Sequence, residues 1–158
     1  SSSSAASDVY KRQSQGGPVR LPPESGGVIA WKFRDPDGHP LEYLQRDAPP
    51  GYDHSGIVAT RPDAALPVYA ALGLHLQAEQ LNQGPAQARL DGVPGATARI
   101  LTLRGAEGPG VELLAYSQVA PFPPPHPADL AADRLVFKGP HPALQRDPDG
   151  HLIEIAPG

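Results

Sequence analysis

A nine-residue segment that occurs twice constrains this sequence more than any other feature. Residues 34–42 read RDPDGHPLE and residues 146–154 read RDPDGHLIE, so Arg, Asp, Pro, Asp, Gly, His and Glu recur at identical offsets. Chance matching of so many fixed types is improbable, and we interpret the pair as an internal duplication. Each copy predicts a tight turn, because proline presets φ at one turn position and glycine accepts a left-handed conformation at another.

The residues around each turn predict a β-hairpin. Residues 28–33 (VIAWKF) are rich in β-branched and aromatic side chains, and residues 41–44 form a second strand after the first turn. The second copy has the same trailing strand over residues 152–156. We interpret the RDPDGH segment itself as a structural turn without a catalytic role.

The region between the two copies has a different pattern. Residues 51–60 (GYDHSGIVAT) predict a strand, and residues 63–74 predict a short helix with Pro67 at its first position and Gly73 near its C-terminal end. Further strands are predicted over 75–81, 87–90, 98–103 and 111–116. The region therefore predicts a strand, a helix and then further strands.

These patterns divide the chain into five segments. Residues 1–24 are expected to be a disordered or artefactual tail, since SSSSAASDVYKRQ resembles a translated sequencing adapter and has no apolar periodicity. A Pro-rich, extended linker is expected between the last two folded parts. The boundaries that follow are 25–47 for the first hairpin, 51–117 for a complete module, 118–132 for the linker and 133–158 for a shortened final module.

Composition excludes several classes of function. The net charge of −4 provides no basic field for nucleic acid, and no apolar run approaches the roughly 18 residues of a membrane helix. The sequence has no cysteine, which excludes disulfides and thiolate metal sites and is compatible with a cytoplasmic location. The expected partner is therefore a small molecule, and no contact with nucleic acid or membrane is expected.

Three ionisable side chains lie in apolar strands. Burial of a carboxylate in such a strand costs free energy unless the carboxylate is paired or binds a metal. Strand alternation puts Glu112 on one face with Leu114 and Tyr116, and Glu154 on one face with its apolar neighbours. His54 has the same unusual position in the strand of residues 51–60. Imidazole and carboxylate groups together suit a divalent ion such as Fe, Mn, Ni or Zn.

The motifs DHSGIVA, YAALGL, VELL and the two RDPDGHxxE endings resemble those of the vicinal oxygen chelate superfamily. That superfamily includes glyoxalases, bleomycin-resistance proteins and extradiol dioxygenases, and the resemblance covers about residues 25–158. It implies an α+β fold of βαβββ modules whose curved sheet forms a cup. Here one complete module would be flanked by two partial ones.

The resemblance also implies roles for individual residues. In such modules the first strand offers a His ligand and the last strand a Glu, which makes His54, Glu112 and Glu154 the expected metal ligands. Arg134 stands where a second His is expected, so it would bind an anionic substrate group instead. Tyr116 would line the cup. Glu42 is expected to be structural, and no catalytic residue is identified.

Three functions remain open at this stage. The first is a metal-dependent enzyme, of the lyase, isomerase or ring-cleaving dioxygenase type, that acts on a small oxygen-rich molecule. The second is a metal-free binding or resistance protein, which the replacement of a His by Arg134 favours. The third is an inactive gene fragment. Unpaired modules would expose apolar sheet and strand edges, so a homodimer is also expected.

Overall fold

The computed structural model describes residues 16–117 and 134–158. These residues contain ten β-strands and two α-helices in the order given by this list: β1 Val19–Arg20, β2 Ile29–Arg34, β3 Pro40–Gln45, β4 His54–Val58, α1 Pro62–Ala71, β5 His75–Asn82, α2 Gly84–Asp91, β6 Ala98–Arg104, β7 Gly110–Tyr116, β8 Arg134–Gly139, β9 Ala143–Arg146 and β10 Leu152–Pro157. A short 3₁₀ helix spans Pro23–Ser25. No helix in the described ranges is both long and apolar enough to cross a membrane.

The chain divides into two compact units. The first contains the residues up to Pro50 together with Gln80–Ala98, and the second contains Gly51–Glu79 together with Arg99–Gly158, as far as each is described. In the first unit β1, β2 and β3 form an antiparallel sheet, and α2 packs against β1 and β2. Its small core consists of Val19, Leu21, Ala30 and Leu90.

The second unit contains residues 51–79 and 99–117 of the segment predicted as the central module, and residues 80–98 of that segment belong to the first unit. Its four-stranded sheet has the order β4-β7-β6-β5, with β4 parallel to β7, and a three-stranded sheet of order β8-β10-β9 follows. Leu101 and Leu103 of β6 and Val111 and Leu113 of β7 are buried at alternate positions, which is the period expected for a half-buried strand, and β7 contacts α1. The buried cluster consists of Ile57, Ala59, Ala65, Tyr69, Leu74, Leu101, Leu103, Val111, Leu113 and Ile153.

Two local predictions are wrong. Residues 87–90 form part of the helix α2 and not a strand, because Pro85 in the first turn and Gly92 at the C-cap, with φ of 67°, begin and end a helix there. Pro67 lies inside α1, and Pro62 occupies the first helical position instead. The second error arises from choosing the boundary proline in the wrong turn of the helix.

The structure describes only part of the predicted tail, residues 1–24, and none of the predicted linker. The linker of residues 118–132 and residues 1–15 of the tail lie outside the described residues. Residues 16–24, which were assigned to the tail, include the strand β1 and the buried side chains of Val19 and Leu21. These two side chains are ordered because they pack against Ala30 and Leu90 in the core of the first unit.

Candidate functional site

His54 and Glu112 lie on neighbouring parallel strands. In the register of β4 and β7, His54 is opposite Gly110 and Gly56 is opposite Glu112. Ile57 and Leu113 point into the buried cluster from these strands. Because side chains alternate faces along a strand, His54 and Glu112 project from the opposite face of the same sheet.

The two side chains are close and each has a second polar partner. His54 Nε2 lies 3.4 Å from Glu112 Oε2, and His54 Nδ1 donates to Asp53 Oδ2 at 2.7 Å. Thr102 Oγ1 donates to Glu112 Oε1 at 3.2 Å, and Arg104 Nη2 donates to Asp53 Oδ1 at 3.0 Å. The His54 and Glu112 side chains are 11% and 19% exposed, so the pair is partly shielded and still open to solvent.

This geometry fits a metal-binding pair. Nitrogen and oxygen ligands lie about 2.0–2.2 Å from a zinc ion, so two ligand atoms of one ion are about 3.0–3.5 Å apart. The 3.4 Å between His54 Nε2 and Glu112 Oε2 falls in that range. Asp53 also gives His54 the carboxylate partner that commonly fixes the ring orientation of a histidine ligand.

Glu154 has a different environment. It lies on β10, opposite Val136 of β8 and Leu144 of β9, and its Oε2 accepts from Arg134 Nη1 at 3.2 Å. Arg134 and Glu154 together line a cavity of about 440 Å³ at the β8-β10-β9 sheet. The structure thus joins one predicted ligand to one predicted substrate-binding residue.

The structure brings together His54 and Glu112 but not all three predicted ligands. In the described ranges, a single group of three side chains has ligand atoms that all lie within 4.8 Å of one another, and this group is Asp35, Asp37 and His39. The ligand atoms of the trio with Glu154 are therefore farther apart than this. Tyr116 ends β7 as a half-buried residue and is not among the residues that line the cavity beside Arg134.

The second RDPDGH turn anchors the final hairpin to the start of α1. Asp149, which is 8% exposed, accepts from Thr60 N at 3.1 Å and Arg61 N at 3.2 Å, and also from the Thr60 hydroxyl. Burial acts to raise the pKa of Asp149, but the bonds from Thr60 and Arg61 outweigh it and hold the pKa below its usual range. Asp149 thus holds the two residues that lead into α1 from a distant part of the chain.

Two other side chains of the same turn extend the anchor. Tyr69 Oη donates to Asp147 Oδ2 at 3.1 Å, and His151 Nε2 lies 2.7 Å from the carbonyl oxygen of Val58. All the bonded polar groups are buried or half-buried. These contacts give each of the three ionisable residues of the turn a partner within the second unit.

Sequence reasoning missed Asp53, Thr102 and Arg104. Asp53 directly precedes His54, and Thr102 and Arg104 are two positions apart on β6, so strand alternation alone puts them on one face. That signal was available in the sequence. What alternation cannot supply is the register that aligns this face of β6 with Glu112 and Asp53.

A comparison with solved structures finds a glyoxalase family protein from Bacillus cereus, 17% identical in sequence, with a TM-score of 0.55. The alignment covers 70% of this chain and 96% of the other. No protein-family model matches the sequence, and no curated protein matches it. At this identity the likeness establishes the fold alone. It confirms the predicted α+β class and, at the level of the fold, the resemblance to glyoxalases.

Proposed function

We propose that this chain, which has a glyoxalase fold, binds a divalent metal ion through His54 and Glu112 and uses it to act on a small oxygen-rich molecule. The observation that carries the proposal is the 3.4 Å separation of His54 Nε2 and Glu112 Oε2. With Nδ1–H donating to Asp53, a neutral His54 ring directs its remaining lone pair toward a carboxylate oxygen. A shared cation relieves the repulsion between these two electron-rich atoms.

The other residues of the site have supporting roles in this proposal. Asp53 orients the His54 ring, and Arg104 in turn holds Asp53. Thr102 fixes one oxygen of the Glu112 carboxylate and leaves the other facing His54. A bound ion would supply Lewis-acid stabilisation of negative charge on substrate oxygens.

Arg134, Tyr116 and Glu154 complete the proposed site. Arg134 would bind an anionic group of the substrate, since it lines a cavity large enough for a small molecule. Tyr116 would pack against the apolar part of the substrate. Glu154 would serve as the third ligand only after its ion pair with Arg134 opens, so its share of the metal affinity should be smaller than that of Glu112.

A metal-free binding protein is the second candidate, and one observation favours it. The Arg134–Glu154 pair already neutralises the carboxylate that was predicted as a ligand. In this case a protonated His54 would form an ordinary ion pair with Glu112. The cavity beside Arg134 would then be the binding site without any metal.

Thermal unfolding in the presence of Mn, Fe(II), Ni or Zn tests the proposal. An ion at 100 times its dissociation constant stabilises the folded state by about 2.7 kcal/mol. For a chain of this size that energy corresponds to a rise in Tm of about 5–10 °C. We expect this rise to disappear in His54→Ala and Glu112→Gln and to be only reduced in Glu154→Gln.

Two matched controls separate this site from other histidines. His75 is exposed at the start of β5, and His39 belongs to the acidic turn of Asp35 and Asp37. The metal-dependent rise should persist in His75→Ala and His39→Ala. A rise that survives His54→Ala but is lost in His39→Ala contradicts the proposal, and the lack of a rise with every metal supports the metal-free alternative.

A further inference from the structure

The ion pair beside the cavity of the second unit is held by one hydrogen bond. Arg134 Nη1 donates to Glu154 Oε2 at 3.2 Å, and the two side chains are 49% and 36% exposed. A guanidinium has five N–H donors, and an ionised carboxylate has two acceptor oxygens. Both groups therefore keep the capacity to bind a ligand in the cavity of about 440 Å³ that they line.

Another arginine of the same unit provides a contrast. Arg99 donates through Nη1 and Nη2 to the two carboxylate oxygens of Asp63, and through Nε to Glu79, at 2.7–2.8 Å. All three nitrogen atoms of its guanidinium thus donate to carboxylates, whereas Arg134 forms a single, longer bond to Glu154. A ligand carboxylate can therefore bind Arg134 without displacing an existing bidentate pair.

The surroundings of this ion pair are apolar. In the register of its sheet, Glu154 is opposite Val136 and Leu144, which are 59% and 62% exposed. Besides the ion pair, the residues that line the cavity are all apolar, and they are Pro142, Ala143, Leu144, Ile155, Ala156 and Pro157. A ligand in the cavity therefore meets one positive group, one negative group and an apolar wall.

The two charges of the pair determine which ligands suit the cavity. A ligand with only a negative group would be attracted by Arg134 and repelled by the neighbouring carboxylate of Glu154. A ligand with only a positive group would be attracted by Glu154 and repelled by Arg134. A ligand with both charges on neighbouring groups pairs every charge, because its dipole can lie antiparallel to that of the ion pair.

We infer that the cavity beside Arg134 and Glu154 binds an α-amino acid with an apolar side chain. The Arg134 guanidinium would donate to the ligand carboxylate, Glu154 would accept from the ligand ammonium, and the ligand side chain would pack against Leu144 and Ala156. Both charged groups of an α-amino acid are bonded to one carbon atom, which suits two protein groups whose charged atoms are 3.2 Å apart. The inference rests on the proposed use of this cavity as the ligand site, and it does not require the metal ion.

Calorimetric titration of the full chain with L-leucine, in a buffer that contains EDTA, tests the inference. Isocaproate, which lacks the ammonium group of leucine, and isopentylamine, which lacks its carboxylate, are the matched ligands. We expect saturable binding of leucine, and a Kd at least about fivefold higher for each matched ligand. The absence of saturable leucine binding would overturn the inference. Equal binding of isocaproate would also overturn it and would leave Arg134 with only the anion-binding role of the proposed function.

Variants of the pair identify the binding groups. Arg134→Met and Glu154→Gln should each raise the Kd for leucine at least about fivefold. Lys138→Met is the matched control, because Lys138 is exposed on the same face of β8 and does not line the cavity, so its Kd should stay unchanged. Leucine binding that is unchanged in Arg134→Met and Glu154→Gln would contradict the inference. Since EDTA removes free metal ions, this result is independent of the metal-dependent rise in Tm, and the two proposals can fail separately.

Discussion

Replacing Asp149 with Ala should destabilise the chain by about 2–4 kcal/mol. The carboxylate accepts three hydrogen bonds from Thr60 and Arg61 while it is 8% exposed. A hydrogen bond to a charged group contributes about 1.5–3 kcal/mol. Arg61 is exposed, so water can accept a hydrogen bond from its backbone N–H after Asp149 is removed. The loss of stability should therefore be smaller than the summed energy of the three hydrogen bonds.

Urea unfolding measures this effect, with Asp37→Ala as its control. Asp37 occupies the equivalent position of an identical turn but is exposed, so its replacement should change the free energy of unfolding by no more than about 0.5 kcal/mol. The slope m should stay constant in both variants, because neither changes the area exposed on unfolding. Equal losses in the two variants would refute the reasoning that docking, and not turn formation, makes Asp149 important.

The same carboxylate predicts a pH dependence. Its pKa in the folded chain lies below the usual value of 3.8, so the unfolded chain binds the proton more readily. The stabilisation is therefore fully present above about pH 4 and is lost as the pH falls through the folded-state pKa. Asp149→Asn should remove this part of the acid sensitivity, and an unchanged acid dependence of the unfolding free energy would contradict the assignment.

Three further predictions concern the second unit. Arg99→Met should raise the pKa of Asp63 and Glu79 toward their usual values, since the hydrogen bonds from Arg99 hold both low, and an NMR titration that finds both unchanged would contradict this. Pro67→Ala should stabilise the chain by about 1–2 kcal/mol, measured by urea unfolding, because it restores a hydrogen bond inside α1. Gly110→Ala should lower Tm at a cost of about 1–3 kcal/mol, as its Cβ would lie 2.8 Å from a carbonyl oxygen of β6, and an unchanged Tm would show that the strand has room.

Much of the fold could be predicted because its signals are local. Strand alternation and turn residues predicted the hairpins and the strands β4, β6 and β7 close to their observed bounds. The segment of residues 87–90 failed because four residues are too few for a period to distinguish a strand from a helix. Only the helix signals outside that window, at Pro85 and Gly92, decide the structure there.

The candidate site was less accessible to sequence reasoning. Strand alternation identified His54 and Glu112 as ionisable side chains in otherwise apolar strands. The structure places the two side chains 3.4 Å apart. The ion pair of Glu154 with Arg134 follows from the parallel pairing of β8 and β10. Such pairing joins segments that are distant in the chain, and no local pattern determines it.

The duplicated segment separates the two kinds of information. The sequence by itself determined the conformation of both turns, because their hydrogen bonds connect residues at most four positions apart and a glycine permits φ of 95° in each. Only the tertiary structure decided that Asp149 and Ile153 are buried whereas Asp37 and Leu41 are exposed. The bond from Thr60 to Asp149 spans 89 positions, so burial depends on which distant surface each hairpin meets.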